Sequence, residues 1–261
     1  MVIRTGKLLL RLMLLCILTL YYTHSYSQIC SADIFSKSYD LGPPKGQFLI
    51  VLPTGGTIFG GRDFYNTPPL GLVPPPPAGA IVFNKRIEGV ANSNLSSACL
   101  NNDKNIVIGT GSDLILVDTN GVVLRSIVTS VPWSILNDLK TDSQGNIYAL
   151  YDATGADPQH RHVLTKIAPD LSKSLWTETW GGLYSGYYGG ILVDSNKVFA
   201  VGGFPISGFD TIIGSVLCFD GSKGSLLKQI SLKLDGYGCT INSIHKLNDG
   251  YLMDGFYHPS G

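Results

Sequence analysis

The chain has 261 residues, with 19 Lys and Arg against 19 Asp and Glu and a formal net charge of zero. That balance, with no polybasic stretch, excludes nucleic acid as an expected partner. Glycine is abundant at 31 residues and charged residues are sparse at 15% of the chain, which suits tight turns between many short strands.

The first element is a basic n-region, Arg4, Lys7 and Arg11, followed by the apolar run Leu12–Leu20 and by Thr23-His24-Ser25-Tyr26-Ser27-Gln28. This is the pattern of a secretory signal peptide over residues 1–27, cleaved after Ser27. The apolar run is about ten residues, short of the roughly 20 that span a bilayer, so no transmembrane segment is expected. A lipoprotein signal at Cys16 would need a small residue where Leu15 stands. Without residues 1–27 the chain keeps 16 basic and 19 acidic residues. Cys30, Cys99, Cys218 and Cys239 remain; export permits disulfides, and sequence does not choose among the pairings. No Cys-x-x-Cys is present, so neither a zinc site nor a redox pair is indicated.

Five times a short turn then leads into an apolar, β-rich run. The copies are Thr54-Gly55-Gly56 before Thr57–Gly61, Asp103-Lys104-Asn105 before Ile106–Gly109, Gln144-Gly145-Asn146 before Ile147–Leu150, Ser195-Asn196-Lys197 before Val198–Gly202, and Asn248-Asp249-Gly250 before Tyr251–Gly255. The residues after the turns, 57, 106, 147, 198 and 251, are 49, 41, 51 and 53 residues apart. Strand repeats of this length are the signature of β-propeller blades.

Each repeat reads as four strands. In the fourth, Ser174–Thr179 is the opening strand, followed by Gly190–Val193, Val198–Val201 and Ser215–Phe219, with a loop through Pro205 and Gly208 before the last of these; Ser225–Ile230 opens the next repeat. Asn-Gly and Asp-Gly turns tolerate the positive φ that tight hairpins need, and no window shows a sustained helical period. Small residues recur late in the second strand of most repeats, at Gly60, Gly61, Gly109, Gly202, Gly203 and Gly255. Either they let neighbouring sheets approach or they begin loops at the rim. The first repeat departs from the pattern at Pro74-Pro75-Pro76-Pro77, a stiff extended loop that no central ladder admits. The last repeat has only Phe256–Gly261 after Gly255. Asp33–Tyr39 can supply one of its missing strands but not both, so the chain is expected to be the N-terminal part of a longer protein with an incomplete ring.

Three elements carry a resemblance. Leu175-Trp176-Thr177-Glu178-Thr179-Trp180-Gly181-Gly182, Asn248–Gly255 and the hairpin Val117–Leu124 resemble the blade motifs of secreted β-propeller proteins common in Bacteroidetes. The signal followed by Ile34–Tyr39 is similar to theirs as well. The resemblance covers nearly the whole chain after residue 27 and implies the propeller fold. It implies no functional residue, because these motifs mark blade geometry.

Candidate chemistry is thin. Phe48-Leu49-Ile50-Val51-Leu52-Pro53-Thr54-Gly55-Gly56-Thr57-Ile58 resembles the opening of a bacterial L-asparaginase, where a strand runs into the turn and a threonine is the nucleophile. The second motif of those enzymes and their alternating helices are missing, so a turn is the expected reading. His160-Arg161-His162 would place two imidazoles on one face of a strand, but a loop is expected after Gly155-Ala156-Asp157-Pro158. Asp118–Gly121 and Asp220–Gly224 lack the spacing of calcium loops and read as hairpin turns. Asn94-Leu95-Ser96 matches a glycosylation acceptor that matters only in a eukaryotic secretory route. Trp176, Trp180, Tyr184, Tyr187 and Tyr188, with Trp133, offer flat apolar area with polar tips, either for stacking a sugar or for packing between sheets.

The reading is an all-β chain: a signal peptide at 1–27, then a β-propeller of four-stranded antiparallel blades over 28–261, with about four to five blades present. The expected role is a non-catalytic binding or scaffolding module, secreted or held at the cell surface, monomeric, with a polysaccharide or an exported protein as partner. The only candidate ligand-binding residues are Trp176, Trp180, Tyr184, Tyr187 and Tyr188; no catalytic, cofactor-binding or metal residue is assigned, and no cofactor is expected. The alternative is a propeller enzyme acting on glycans, or a quinone-dependent enzyme acting on small molecules.

Overall fold

The structure, a computed structural model, describes residues 45–51, 57–62, 69–73, 83–86, 95–111, 113–129, 134–153, 161–181, 187–206, 211–233 and 238–258. All of them lie in the unit Gly42–Gly261. The signal peptide, Cys30, Asp33–Tyr39, Thr54–Gly56, Pro74–Pro77, Asn94, Trp133, His160 and Tyr184, all given a reading above, fall outside these residues.

Among the described residues every regular element is a strand. β1 (Lys45–Val51), β2 (Thr57–Arg62), β3 (Pro69–Val73) and β4 (Phe83–Arg86) form the first sheet. β5 (Leu95–Leu100), β6 (Ile106–Thr110), β7 (Asp113–Val117) and β8 (Val123–Val128) form the second. The third holds β9 (Ser134–Thr141), β10 (Ile147–Ala153), β11 (Arg161–Ile167) and β12 (Ser174–Gly181). The fourth holds β13 (Tyr187–Asp194), β14 (Lys197–Ile206), β15 (Thr211–Asp220) and β16 (Leu226–Leu232). β17 (Gly238–Lys246) and β18 (Tyr251–His258) form a two-stranded fifth sheet. Each sheet is an antiparallel meander, and the first strands stand side by side in chain order: β1 by β5, β5 by β9, β9 by β13, β13 by β17. This is a β-propeller whose sheets do not close a ring: no strand pairing joins the first sheet to the fifth among the described residues.

The structure corrects the phase of the repeat. The run from Ser174 does not open the fourth sheet; as β12 it closes the third, paired with β11 from Arg161↔Gly181 to Ile167↔Ser174. The run from Ser225 likewise closes the fourth as β16. Short turns at 168–173 and 221–225 make each of these runs the hairpin partner of the strand before it. One boundary also moves: Pro205 belongs to β14, opposite Ile212. In the first sheet β3 and β4 pair antiparallel from Pro69↔Arg86 to Leu72↔Phe83.

A β-bulge recurs at one position in all five sheets. The first strand skips one residue against its neighbour at Gln47, Ser96, Asn137, Gly189 and Asn242. In every case the skip lies opposite the fourth and fifth residues counted from 57, 106, 147, 198 and 251. This explains the recurrent glycines. An extra residue in the first strand drives its backbone toward the second, and a Cβ on Gly202 would fall on the Tyr187 carbonyl and Tyr188, one on Gly255 on the Thr240 carbonyl. Gly109 serves the expected purpose of letting neighbouring sheets approach, since a Cβ there would fall on Leu136 of the next sheet.

The core lies between sheets. Val107, Leu114 and Leu116 meet Leu136, Leu139, Ala149 and Tyr151 between the second and third. Leu150 and Leu164 meet Ile191, Val198, Ala200 and Phe219 between the third and fourth. Val201 and Val216 meet Ile241 and Ile244 between the fourth and fifth. Cys99, Cys218 and Cys239 are free thiols. Burial, with Lys140 opposing it, pushes the Cys99 thiol up to about 12, which leaves it inert.

Candidate functional site

The seam between the third and fourth sheets packs Tyr148, Trp176, Trp180, Tyr188 and Phe219 together and holds the buried polar side chains of His162, Lys166 and Ser215. At the end carrying the described turns, the carbonyl of Gly221 accepts from the Lys166 ammonium at 3.0 Å, the Trp176 indole at 3.1 Å and the Tyr148 hydroxyl at 3.2 Å. Lys166 also pairs with Asp142 at 3.3 Å, its ammonium 5.1 Å from the Tyr148 ring centre. Burial opposes ionisation of Asp142, but hydrogen bonds from Asn146 and the Lys166 charge outweigh it and hold the carboxyl below its ordinary range.

Along the first strands, polar groups tie one sheet to the next. Ser97 of β5 donates to Asp138 of β9 at 3.4 Å, and Asp138 accepts the Ile191 backbone N–H of β13 at 3.0 Å. Lys140 sits on the same carboxylate at 2.7 Å. Asn137, the bulged residue of β9, donates to the Tyr188 carbonyl at 2.7 Å.

At the opposite end His162 and Asp152, register partners on β11 and β10, share a hydrogen bond through Nδ1 and Oδ1. The imidazole is 3% exposed, with Tyr188 4.6 Å and Trp180 5.7 Å from its centre. Its Nε2 is buried with no hydrogen-bond partner among the described residues, a position that asks for one. The loop expected at Arg161 and His162 is corrected here. Arg161 and His162 begin β11, and pairing with β10 brings in Asp152 from ten residues upstream.

The aromatic candidates separate. Trp176 packs edge-on against Tyr148 at 5.8 Å. Trp180 lies 5.1 Å from Phe219 and 5.5 Å from Tyr188, and the Tyr188 hydroxyl donates to Ser215 at 3.1 Å. Trp176 and Trp180 are half-buried and Tyr188 is buried, all three within the inter-sheet core. Tyr187 is the exposed member, at 51%. Partial burial raises its hydroxyl pKa, with the charges of Asp152 and Asp138 adding to the shift.

The Asp118 and Asp220 segments are hairpin turns. Asp118 accepts the N–H groups of Asn120 and Val122, and Asp220 those of Ser222 and Lys223. Among the described residues no group of three or more His, Cys, Asp or Glu side chains is placed to hold a metal ion, and no helix is long and apolar enough to cross a membrane. Sequence reasoning missed Asp152 and the Lys166–Asp142 pair. The alternation of β11 was the available signal, since it puts His162, Leu164 and Lys166 on one face.

No family model matches the chain, and no curated protein matches it. Solved structures do. A Bacteroides caccae protein of unknown function aligns over 75% of this chain and 62% of its own, at 13% identity and a TM-score of 0.51. The Neurospora crassa Pan2 WD40 domain aligns over 72% and 52%, at 14% identity and 0.50. The extracellular domain of the putative hybrid two component system BT3049 from B. thetaiotaomicron aligns over 81% and 26%, at 11% identity and 0.51. This chain thus spans less than two thirds of each of these proteins, and at such identities the likeness is one of fold.

Proposed function

We propose that the protein is an exported β-propeller that binds or scaffolds at the cell surface, with a polysaccharide or an exported protein as its ligand. The observation that carries this reading is the division of labour at the third and fourth sheets. Ser97, Asn137 and Asp138 are engaged in bonds between neighbouring first strands, while the Tyr187 ring stays exposed. An exposed aromatic ring with a polar tip suits a hydroxylated ligand. The basic and apolar leader and the likeness to an extracellular domain from a Bacteroides species support export. The test is retention of the protein on a panel of immobilised bacterial polysaccharides and envelope proteins. Saturable retention on at least one, lost in Tyr187→Ala with an unchanged melting midpoint, is expected; no retention on any of them overturns the reading.

A further inference from the structure

Asn120-Gly121 is the only Asn-Gly pair in the chain, and it sits in the turn between β7 and β8, with Asn120 exposed. In such a pair the glycine amide nitrogen can attack the asparagine side-chain carbonyl carbon, because glycine brings no Cβ to crowd the approach. The N–Cγ bond forms, the side-chain nitrogen leaves as ammonia, and a succinimide ring results. Water then opens the ring at either carbonyl, giving aspartate or isoaspartate; nothing is oxidised or reduced. The attack needs the nitrogen released from other bonds and about 3–3.5 Å from Cγ in line with it.

The turn withholds that nitrogen. The Gly121 N–H donates to the Asp118 carbonyl at 3.0 Å, with Gly121 held at φ 77°. The Asp118 carboxylate accepts the N–H of Asn120 at 2.9 Å, that of Val122 at 2.8 Å and the Asn120 side-chain amide at 3.4 Å. The Asp118 N–H closes the turn on the Val122 carbonyl at 2.9 Å. All these bonds converge on Asp118, so one residue restrains both the nucleophile and the group it would attack. The hairpin itself lies at the outer edge of its sheet. Residues 123–126 of β8 are exposed, and Arg125 ties the strand to Asp170 through an exposed pair at 3.2 Å. Solvent-exposed pairings of this kind open more readily than the buried ladders of the core.

We propose that Asn120 is a site of spontaneous deamidation gated by the β7–β8 hairpin: the closed turn protects it, and opening of the turn exposes it to modification. The product holds the change. A carboxylate replaces the amide donor that faces the Asp118 carboxylate at 3.4 Å, so two like charges meet in the turn. Isoaspartate also adds a backbone carbon before Gly121, which the turn geometry does not accommodate. β8 then loses its register on β7, which runs from Asp113↔Val128 to Val117↔Val123, and the buried residues Leu114, Ile115, Leu116 and Val117 lose the strand beside them.

The test incubates the full chain at mildly alkaline pH in four forms: native, Asp118→Ala, Asp118→Asn, and the native sequence unfolded in guanidinium chloride. Peptide mapping by mass spectrometry follows the conversion of Asn120 with time. Slow conversion is expected in the native chain, conversion faster by about tenfold or more in Asp118→Ala, and the fastest in the unfolded chain. Asp118→Asn keeps a side-chain acceptor and is expected to stay within about threefold of the native rate. Hydrogen exchange of the β10 amides, unchanged in Asp118→Ala, separates opening of the hairpin from loss of the whole fold. Equal rates in the native and unfolded chains, or no conversion in any form, overturn the proposal. So does a folded Asp118→Ala chain that converts no faster than the native one.

Discussion

Lys166 of β11 donates its ammonium to the carbonyl of Gly221, in the turn after β15, at 3.0 Å, and so ties the third sheet to the fourth. The same oxygen takes bonds from Trp176 and Tyr148, while Asp142 balances the buried charge at 3.3 Å. Removing one member of such a set strands the others. Lys166→Met, which keeps the stem but leaves the Asp142 carboxylate without its cation, is expected to cost roughly 3–5 kcal/mol. Tyr148→Phe, which deletes one hydroxyl, is expected to cost about 1–2 kcal/mol. Urea unfolding midpoints at constant m-value measure both.

The bulge and its glycine form one unit. Gly255→Val puts a branched side chain onto the Thr240 carbonyl and Ile241 of the facing strand, and a loss of about 3 kcal/mol is expected. At Gly250, in the preceding turn, an added Cβ would meet nothing within 4 Å; Gly250→Ala is expected to change stability by less than about 0.5 kcal/mol. Urea midpoints of the two variants give the comparison, and equal effects at the two positions would sever the link between bulge and glycine.

Acid weakens the seam through Asp142. Its carboxyl titrates below the ordinary 3.8 in the folded protein, held there by Asn146 and Lys166 against the opposing effect of burial. A lowered carboxylate pKa contributes stability above the unfolded value and loses it as pH falls through the folded one. The stability gap between the native chain and Asp142→Asn is therefore expected to be full at about pH 7 and to shrink below about pH 4. Denaturant titrations of both proteins at several pH values give the gap directly, and a gap that widens in acid would contradict the assignment.

Packing and recognition separate between neighbouring aromatics. Trp180→Ala removes a ring lodged among Phe219, Tyr188 and His162, and a loss of about 3–5 kcal/mol is expected. Tyr187→Ala removes an exposed ring and is expected to leave stability within about 1 kcal/mol. Thermal melts of the pair test this without knowledge of the ligand.

Much of the fold was legible because the second strands β6, β10 and β14 are largely buried on both faces and each follows a tight turn. Ile106–Gly109 and Ile147–Leu150 could be nothing but central strands. The sheet boundaries were less legible, since Ser174–Thr179 alternates equally well whether it ends one sheet or begins another; only pairing with β11 decides. The bulges leave no mark on the first strand itself, where Gln47, Ser96, Asn137, Gly189 and Asn242 share no side-chain type. In four of the five sheets a glycine stands opposite, at Gly60, Gly109, Gly202 and Gly255, while in the third Leu150 and Tyr151 take that place. Asp152 could not be joined to His162 from sequence, because the register of β10 on β11 depends on the whole ladder.

The side-by-side stacking of first strands is tested most directly by long-range nuclear Overhauser effects at the Ile191 amide, which hydrogen-bonds to Asp138. Cross-peaks from that amide to the Asp138 side chain, together with β11–β12 ladder peaks linking His162 to Trp180, are the predicted result. Ladder peaks joining β12 to β13 within one sheet, with none between Ile191 and Asp138, would contradict the arrangement on which every site described above is built.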